Sequence, residues 1–325
     1  MTCEDTIKII SDYHKVKAPT VLRLCKEQNK DFTNWKQRSH CQDYMIFAKN
    51  FGSRMSIDEV AQSKGELYTY VTNKEGKGKP GTLAASIKGT KTNDIISVLE
   101  IVPLELRLQV KEVTLDMARN MEAAAKAVFP NATIVTDRFH VVKLVIDALQ
   151  HLRIELRWEE QNKENERIAK ARKQKKRYKP KVLTNGDTKK QLLARCRYII
   201  AKLPHLWTAS QKERATLLFN IYPSLKAAYK HTIRFRKIYE KKDRNEAEHK
   251  LKRWIESTEK FESKKFNTAA NTIKYNLENI LNFFINRSTN ASAESFNAKI
   301  KRFRANLRGV SDYEFFFYRI AKLYA

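Results

Sequence analysis

The sequence predicts an α/β protein with a mixed five-stranded sheet and a large all-α insertion. Three observations predict it. Of 325 residues 42% are hydrophobic, and only 8 Gly and 7 Pro occur, so the chain supports a real core and is too poor in breakers to be loop-built. Between residues 54 and 137, strand-like and helix-like apolar periods alternate in a definite order. From residue 141 to 286 no strand signal occurs.

Residues 1–50 read as a short helical arm, with apolar stripes in IKIISDYHKV and PTVLRLCKEQ. Packing is its first reading and DNA binding its second. RMSIDEV, ELYTYVTNK and GTLAASIKGT then read as three strands. The breaks between them, at Lys64-Gly65 and in NKEGKGKPG, are short enough to imply antiparallel neighbours. TNDIISVLEIV follows as an amphipathic helix with Thr92 as N-cap. EVTLD is a strand, ARNMEAAAKAVF a helix and ATIVTD a strand. This β-β-β-α-β-α-β succession is the ribonuclease H-like order, with the strands arranged 3-2-1-4-5. Residues 51–140 therefore form the core, and 141–286 a helical, strongly basic insertion. Residues 287–325 are two helices, broken at Arg308-Gly309, that complete the core. Within the insertion, Ser210 and Glu213 suggest a capping box. The basic run Lys163 to Lys181 reads as a solvated helix or linker, with a DNA-tracking arm as the alternative. Trp207 and Trp254 read as core, with stacking on an unpaired base as the alternative.

Lys and Arg total 64 against 36 Asp and Glu, a net charge of +28. Nucleic acid is the partner such a surplus favours, because basic side chains release the counterions of a polyanion. An anionic membrane surface fits less well, since the charge is spread along the chain. Cys3, Cys25, Cys41 and Cys196 form no CxxC pair, so neither zinc-finger spacing nor a disulfide framework is present. They read as reduced thiols. No secretory leader and no apolar run of about 18 residues occurs, which points to a cytoplasmic protein.

Three acids stand out by position. Asp58 lies within the first strand, Asp116 ends the fourth in VTLDM, and Glu294 stands near the start of a late helix in NASAESFNAK. In the order 3-2-1-4-5 the first and fourth strands are adjacent, so their acids face each other about 5 Å apart. A two-metal centre needs carboxylates that bracket ions roughly 3.5–4 Å apart. Mg²⁺ suits it, being bound by carboxylate oxygens while keeping waters. Glu59 is the neighbouring rival of Asp58; successive strand residues face opposite ways, so one of the two lines the site. The shorter carboxylate favours Asp58, and the phase of Ile57 and Val60 leaves the choice open. On the late helix, Ala293, Phe296, Ile300, Phe303 and Leu307 make a core stripe. Glu294, Asn297, Lys301, Arg304 and Arg308 form the stripe beside it. A carboxylate next to a cationic ladder fits metal-dependent chemistry on a phosphate backbone; an ordinary charged helix face is the plain alternative.

IDEVAQSKGELYTYVTNK, VTLDMARNM, FPNATIVTDRFHVVK and NASAESFNAKIKRFRANLRGVSDYEFFFYRI occur in that order. Together, over about residues 54–325, they resemble bacterial insertion-sequence DDE transposases of the ISL-three type, which are similar to Mutator-like transposases. The resemblance implies a ribonuclease H-like catalytic core with a helical insertion before the last acid. It implies an Asp-Asp-Glu triad on Asp58, Asp116 and Glu294 that binds two divalent cations, Mg²⁺ or Mn²⁺. It also implies a Cys or Asp followed, three residues on, by His; here these are Asp137 and His140. The implied reaction cleaves a phosphodiester at the element's ends, and the freed 3′-OH then attacks target DNA. Terminal inverted repeats and target DNA are the implied partners, with self-association on DNA and no membrane. Relatives commonly carry an N-terminal zinc and helix-turn-helix region that this sequence does not show. A separately encoded DNA-binding protein, or a truncated copy, is therefore expected.

Strand order puts Asp137 at the end of the fifth strand, roughly 10 Å from the first. Asp137, His140 and Asn297 are accordingly expected to orient the acids rather than to bind metal. Arg138, Lys299, Lys301, Arg302, Arg304 and Arg308 are the expected phosphate contacts. Two readings compete with a transposase: a ribonuclease H-fold nuclease without strand transfer, and a non-catalytic DNA-binding derivative.

Overall fold

The strand segments, among them LYTYVTN and TIVT with their β-branched and aromatic residues, suit a pleated surface. In the computed structural model, which describes residues 7–28, 30–61, 66–261, 263–307, 310 and 312–325, they form one six-stranded sheet. The chain divides into two compact units, Met1–Asp137 with Asn286–Ala325, and Arg138–Ile285.

In the first unit, helices α1 (Ile7–His14), α2 (Ala18–Gln28) and α3 (Lys30–Thr33) precede β1 (Tyr44–Ile46). Strands β2 (Arg54–Ala61), β3 (Leu67–Asn73) and β4 (Leu83–Lys88) follow. Next come α4 (Thr92–Leu99), α5 (Leu104–Leu108), β5 (Glu112–Leu115), α6 (Arg119–Val128) and β6 (Thr133–Thr136). The strands lie in the order β1-β4-β3-β2-β5-β6. Pairs among the first four are antiparallel, and β2/β5 and β5/β6 are parallel.

The sheet thus has six strands where five were expected. The extra one, β1, is three residues long and pairs at the edge with β4. Three residues are too few for an alternation signal, so the partner edge decides them. Thr92 begins α4, but Lys91 is the N-cap, and the Thr92 hydroxyl donates instead to the Asn120 carbonyl at 3.3 Å. The breaks at Lys64-Gly65 and Arg308-Gly309 lie outside the described residues.

Alternation along the strands sends Met55, Ile57, Val71, Val113 and Leu115 to one face, packed on Ile95 and Leu99 of α4 and Met121 and Val128 of α6. The other face carries Met45, Val60, Tyr68, Tyr70 and Leu83. Over it pack Phe296, Ile300 and Phe303 of α15 (Ala291–Asn306) and Phe316, Phe317 and Ile320 of α16 (Tyr313–Tyr324). Each fully buried Phe contributes roughly 2–3 kcal/mol of transfer free energy. Ala293, Phe296, Ile300 and Phe303 are buried, and Leu307 is partly buried against the same core, as their spacing requires.

The second unit is helical: α7 (Arg138–Lys173), α8 (Lys189–Arg195), α9 (Ala209–Ile221), α10 (Pro223–Ile238), α11 (Arg244–Thr258), α12 (Lys264–Tyr275), α13 (Leu277–Leu281) and α14 (Phe283–Asn286). It carries most of the chain's excess positive charge. The capping box of α9 is Thr208 with Gln211, two residues before the expected Ser210 and Glu213. Both pairs have suitable spacing, and the earlier one closes the box, the Thr208 side chain accepting the Gln211 N–H and the Gln211 side chain accepting the Thr208 N–H. The first half of α7 buries Val141, Val145, Ala148 and Leu149; its basic end is solvated, with Lys163 beside Glu160 at 3.6 Å. Trp254 is buried core, and Trp207 is half-buried with its Nε1–H donating to the Ile199 carbonyl at 2.8 Å.

Candidate active site

The candidate site lies where the middle of β2 passes the carboxyl end of the parallel strand β5. The chain runs from β2 toward β3 on one side and returns with β5 on the other, so these two parallel strands meet at a topological switch point. In open α/β sheets, crevices beyond such strand ends are where ligands bind. Ser56 pairs with Thr114, and Thr114 with Val135. Asp58, Asp116 and Asp137 each stand two residues beyond these partners, and so continue on the same face. By strand parity the three acids fall on one face, Asp58 within β2 and Asp116 and Asp137 just past the ends of β5 and β6, on strands that neighbour one another.

Asp58 is half-buried. Its Oδ2 accepts from Asn297 Nδ2 at 2.7 Å, and its Oδ1 from the Glu59 N–H at 2.9 Å. Glu59 is exposed, one residue out of phase with that face. Asp116, also half-buried, accepts the Ala118 N–H on Oδ1 at 2.7 Å, a local turn that fixes its carboxylate. Asp137 is buried, and its Oδ1 accepts the Asn290 N–H at 3.0 Å, at the start of α15.

Glu294 is exposed on the first turn of α15. Asn297 lies three residues on and on the same helix face, so Glu294 is one turn from the residue that holds Asp58. Among the described residues, no three His, Cys, Asp or Glu side chains converge as an ion-binding group. The structure therefore brings Asp58, Asn297, Asp116 and Asp137 to one face of the sheet and leaves Glu294 a helical turn away. The hard, half-buried oxygens of Asp58 and Asp116 are a donor set that fits Mg²⁺ or Mn²⁺.

The basic candidates separate. Lys301 and Arg302 are exposed and Arg304 is half-buried. Lys299 Nζ is engaged by the Gly78 carbonyl at 2.7 Å, and Arg308 lies outside the described residues. Arg138 and His140 belong to the second unit, on the first turn of α7. There Arg138 lies over the Phe283 ring at 6.0 Å, and the His140 ring meets that of Phe139 edge-on at 5.5 Å.

A second polar cluster on the same sheet face escaped sequence reasoning. Glu112 is only 4% exposed; its Oε1 meets Lys74 Nζ at 3.1 Å and its Oε2 accepts from Asn286 Nδ2 at 3.2 Å. Ser288 Oγ also donates to Glu112, and Lys74 to Thr114. Burial pushes the Glu112 carboxyl up, but the Ser288 hydrogen bond and the Lys74 charge outweigh it and hold it below the ordinary carboxylate range. Burial lowers Lys74, partly countered by Glu112. The one available signal was parity: in EVTLD, Glu112 shares a face with Asp116, which makes it an inward-pointing acid.

No helix among the described residues is long and apolar enough to cross a membrane. No curated protein matches the chain. A family model described as Transposase, that of the DDE transposases of the ISL3 type, matches residues 55–320. That span holds Asp58, Asp116 and Asp137 and the helix bearing Glu294. The chain belongs to the ISL3-type family of DDE transposases.

Proposed function

We propose that the chain cleaves phosphodiesters at the ends of a DNA element and joins the freed 3′ ends to target DNA, with Asp58, Asp116 and Glu294 as its catalytic acids. The observation that carries the reading is the placement of Asp58, within β2, and Asp116, just past the end of the parallel neighbour β5, on the sheet face packed against the helix that bears Glu294. In this reading the sheet unit is a ribonuclease H-like core. The helical unit is the insertion before the last acid, and the expected arm of residues 1–50 is shortened at its C-terminal end, where β1 joins the core sheet.

Asp58 and Asp116 would hold Mg²⁺ or Mn²⁺, with Glu294 completing the donor set; a divalent cation there supplies Lewis acidity to the phosphodiester. Asn297 orients Asp58 through its amide, and the Ala118 N–H fixes Asp116. Asp137 fixes the start of the Glu294 helix through the Asn290 N–H. Lys301, Arg302 and Arg304 follow Glu294 along α15 and supply phosphate contacts that hold the scissile strand. Arg138 and His140 are proposed as further contacts from the start of α7. The reaction is placed on nucleoid DNA in the cytoplasm, with self-association on DNA and a separately encoded end-reading protein as proposed partners.

The test is Mg²⁺-dependent cleavage and joining of DNA that carries the element's terminal repeats. Asp58→Asn, Asp116→Asn and Glu294→Gln should each lower both steps by at least about 100-fold, as loss of transition-state charge stabilisation does. Full activity of Glu294→Gln would refute the triad. Cleavage without joining would select the nuclease reading.

A further inference from the structure

Helix α15 carries Glu294, yet Glu294 itself touches neither Asp58 nor Asp116. What aims it is the segment that precedes it. Asn286 and Ser288 both reach the buried Glu112 carboxylate, Asn286 at 3.2 Å. Arg287 between them has φ 51, a left-handed conformation that non-glycine residues rarely adopt. That turn lets the residues on either side of Arg287 present their side chains to one acid. Two residues on, the Asn290 N–H is accepted by Asp137. Beyond Glu294, Asn297 is bound to Asp58, and Lys299 to Gly78 at 2.7 Å. The helix is therefore held on both sides of Glu294, and the first of these anchors is Glu112.

We propose that Glu112 is a positioning residue for Glu294: its buried pair with Lys74 and its bonds to Asn286 and Ser288 set where α15 begins and so where Glu294 stands. This rests on the reading of Glu294 as the third catalytic acid. Glu112 begins β5 and Asp116 directly follows its last residue, so the anchor and an active-site acid are joined through one short strand. The 286–288 segment is thereby registered directly to the strand that leads to Asp116. Lys74, the first residue of the 3-10 turn that follows β3, neutralises the buried charge from the end of that strand. An uncharged carboxamide at position 112 would keep one acceptor and lose the charge that strengthens both donor bonds.

The test uses the full chain with Glu112→Gln, Ser288→Ala and the hydroxyl-retaining Ser288→Thr. Hydrogen exchange should rise about tenfold at the first amides of α15 in Glu112→Gln and Ser288→Ala, the loss expected for one hydrogen bond to a charged group, while β2 and β3 keep their protection. Ser288→Thr should exchange as the wild type does. In element-end cleavage, the same two variants should lower kcat about tenfold with KM for DNA unchanged, and Ser288→Thr should restore it. Wild-type exchange at α15 would overturn the proposal. So would an equal rise across β2, β3 and α15, which marks a merely structural network. If the wild-type chain cleaves no element ends, the transposase reading fails, while the exchange pattern still decides the anchor.

Discussion

Lowering the pH from 7 to 4 should destabilise the helical unit through one residue, His231. It is 1% exposed, stacked on Trp254 with ring centroids 4.6 Å apart, and near Phe261 and Phe266. Its Nε2 lies 2.7 Å from Thr258 Oγ1, and the Thr258 hydroxyl proton is donated to the Trp254 carbonyl at 2.8 Å. The hydroxyl can then only accept from the ring, so Nε2 carries a proton. Burial, and then the charge of Arg234, push its pKa down from 6.5 to about 4. Between those values the unfolded chain binds a proton that the folded one does not. Stability from this residue is therefore complete above pH 6.5 and is lost as the pH falls toward 4. That gap corresponds to about 3 kcal/mol. Urea melts at pH 7, 5.5 and 4, followed by the fluorescence of Trp158, Trp207 and Trp254, compare wild type with His231→Gln, which cancels the carboxylates common to both. The wild type should lose about 3 kcal/mol more than the variant. Parallel losses, or a His231 resonance titrating near 6.5, would refute the reasoning.

Two further outcomes follow from particular contacts. Lys299→Met removes the bond to Gly78 and should cost about 1 kcal/mol in thermal melts while leaving DNA affinity unchanged; Lys301→Met should instead reduce the salt slope of DNA binding by about one. Asp187 is fully buried beside Arg195 and Arg214, the latter at 3.3 Å, so Asp187→Asn should cost about 2 kcal/mol, discounted for the exposed Arg195, as read by urea unfolding.

Much of the sheet unit was legible because its signals are local. Alternating runs marked β2 to β4, and short breaks between them implied antiparallel pairing. The 3-4 spacing of Phe296, Ile300 and Phe303 identified the buried side of α15, and the adjacency of the strands beside Asp58 and Asp116 followed from element order. Edge strand β1 was not legible, since three residues carry no period and the β4 edge creates it. The caps at Lys91 and Thr208 shifted from expectation because several residues satisfy the local pattern and packing chooses among them.

The amino-acid pattern alone determined which residues enter strands and helices and which side of each is apolar, because those choices depend on neighbours one to four positions away. It also marked Asp58, Asp116 and Glu294 as candidates. Only the tertiary structure decided the bond of Asp137 to the Asn290 N–H, the orientation of Asp58 toward Asn297 and the anchoring of Asn286 and Ser288 on Glu112. Each of these hydrogen bonds joins residues more than 150 positions apart, and their partners are chosen by strand register and by the burial of charge, quantities that no local stretch of the chain contains.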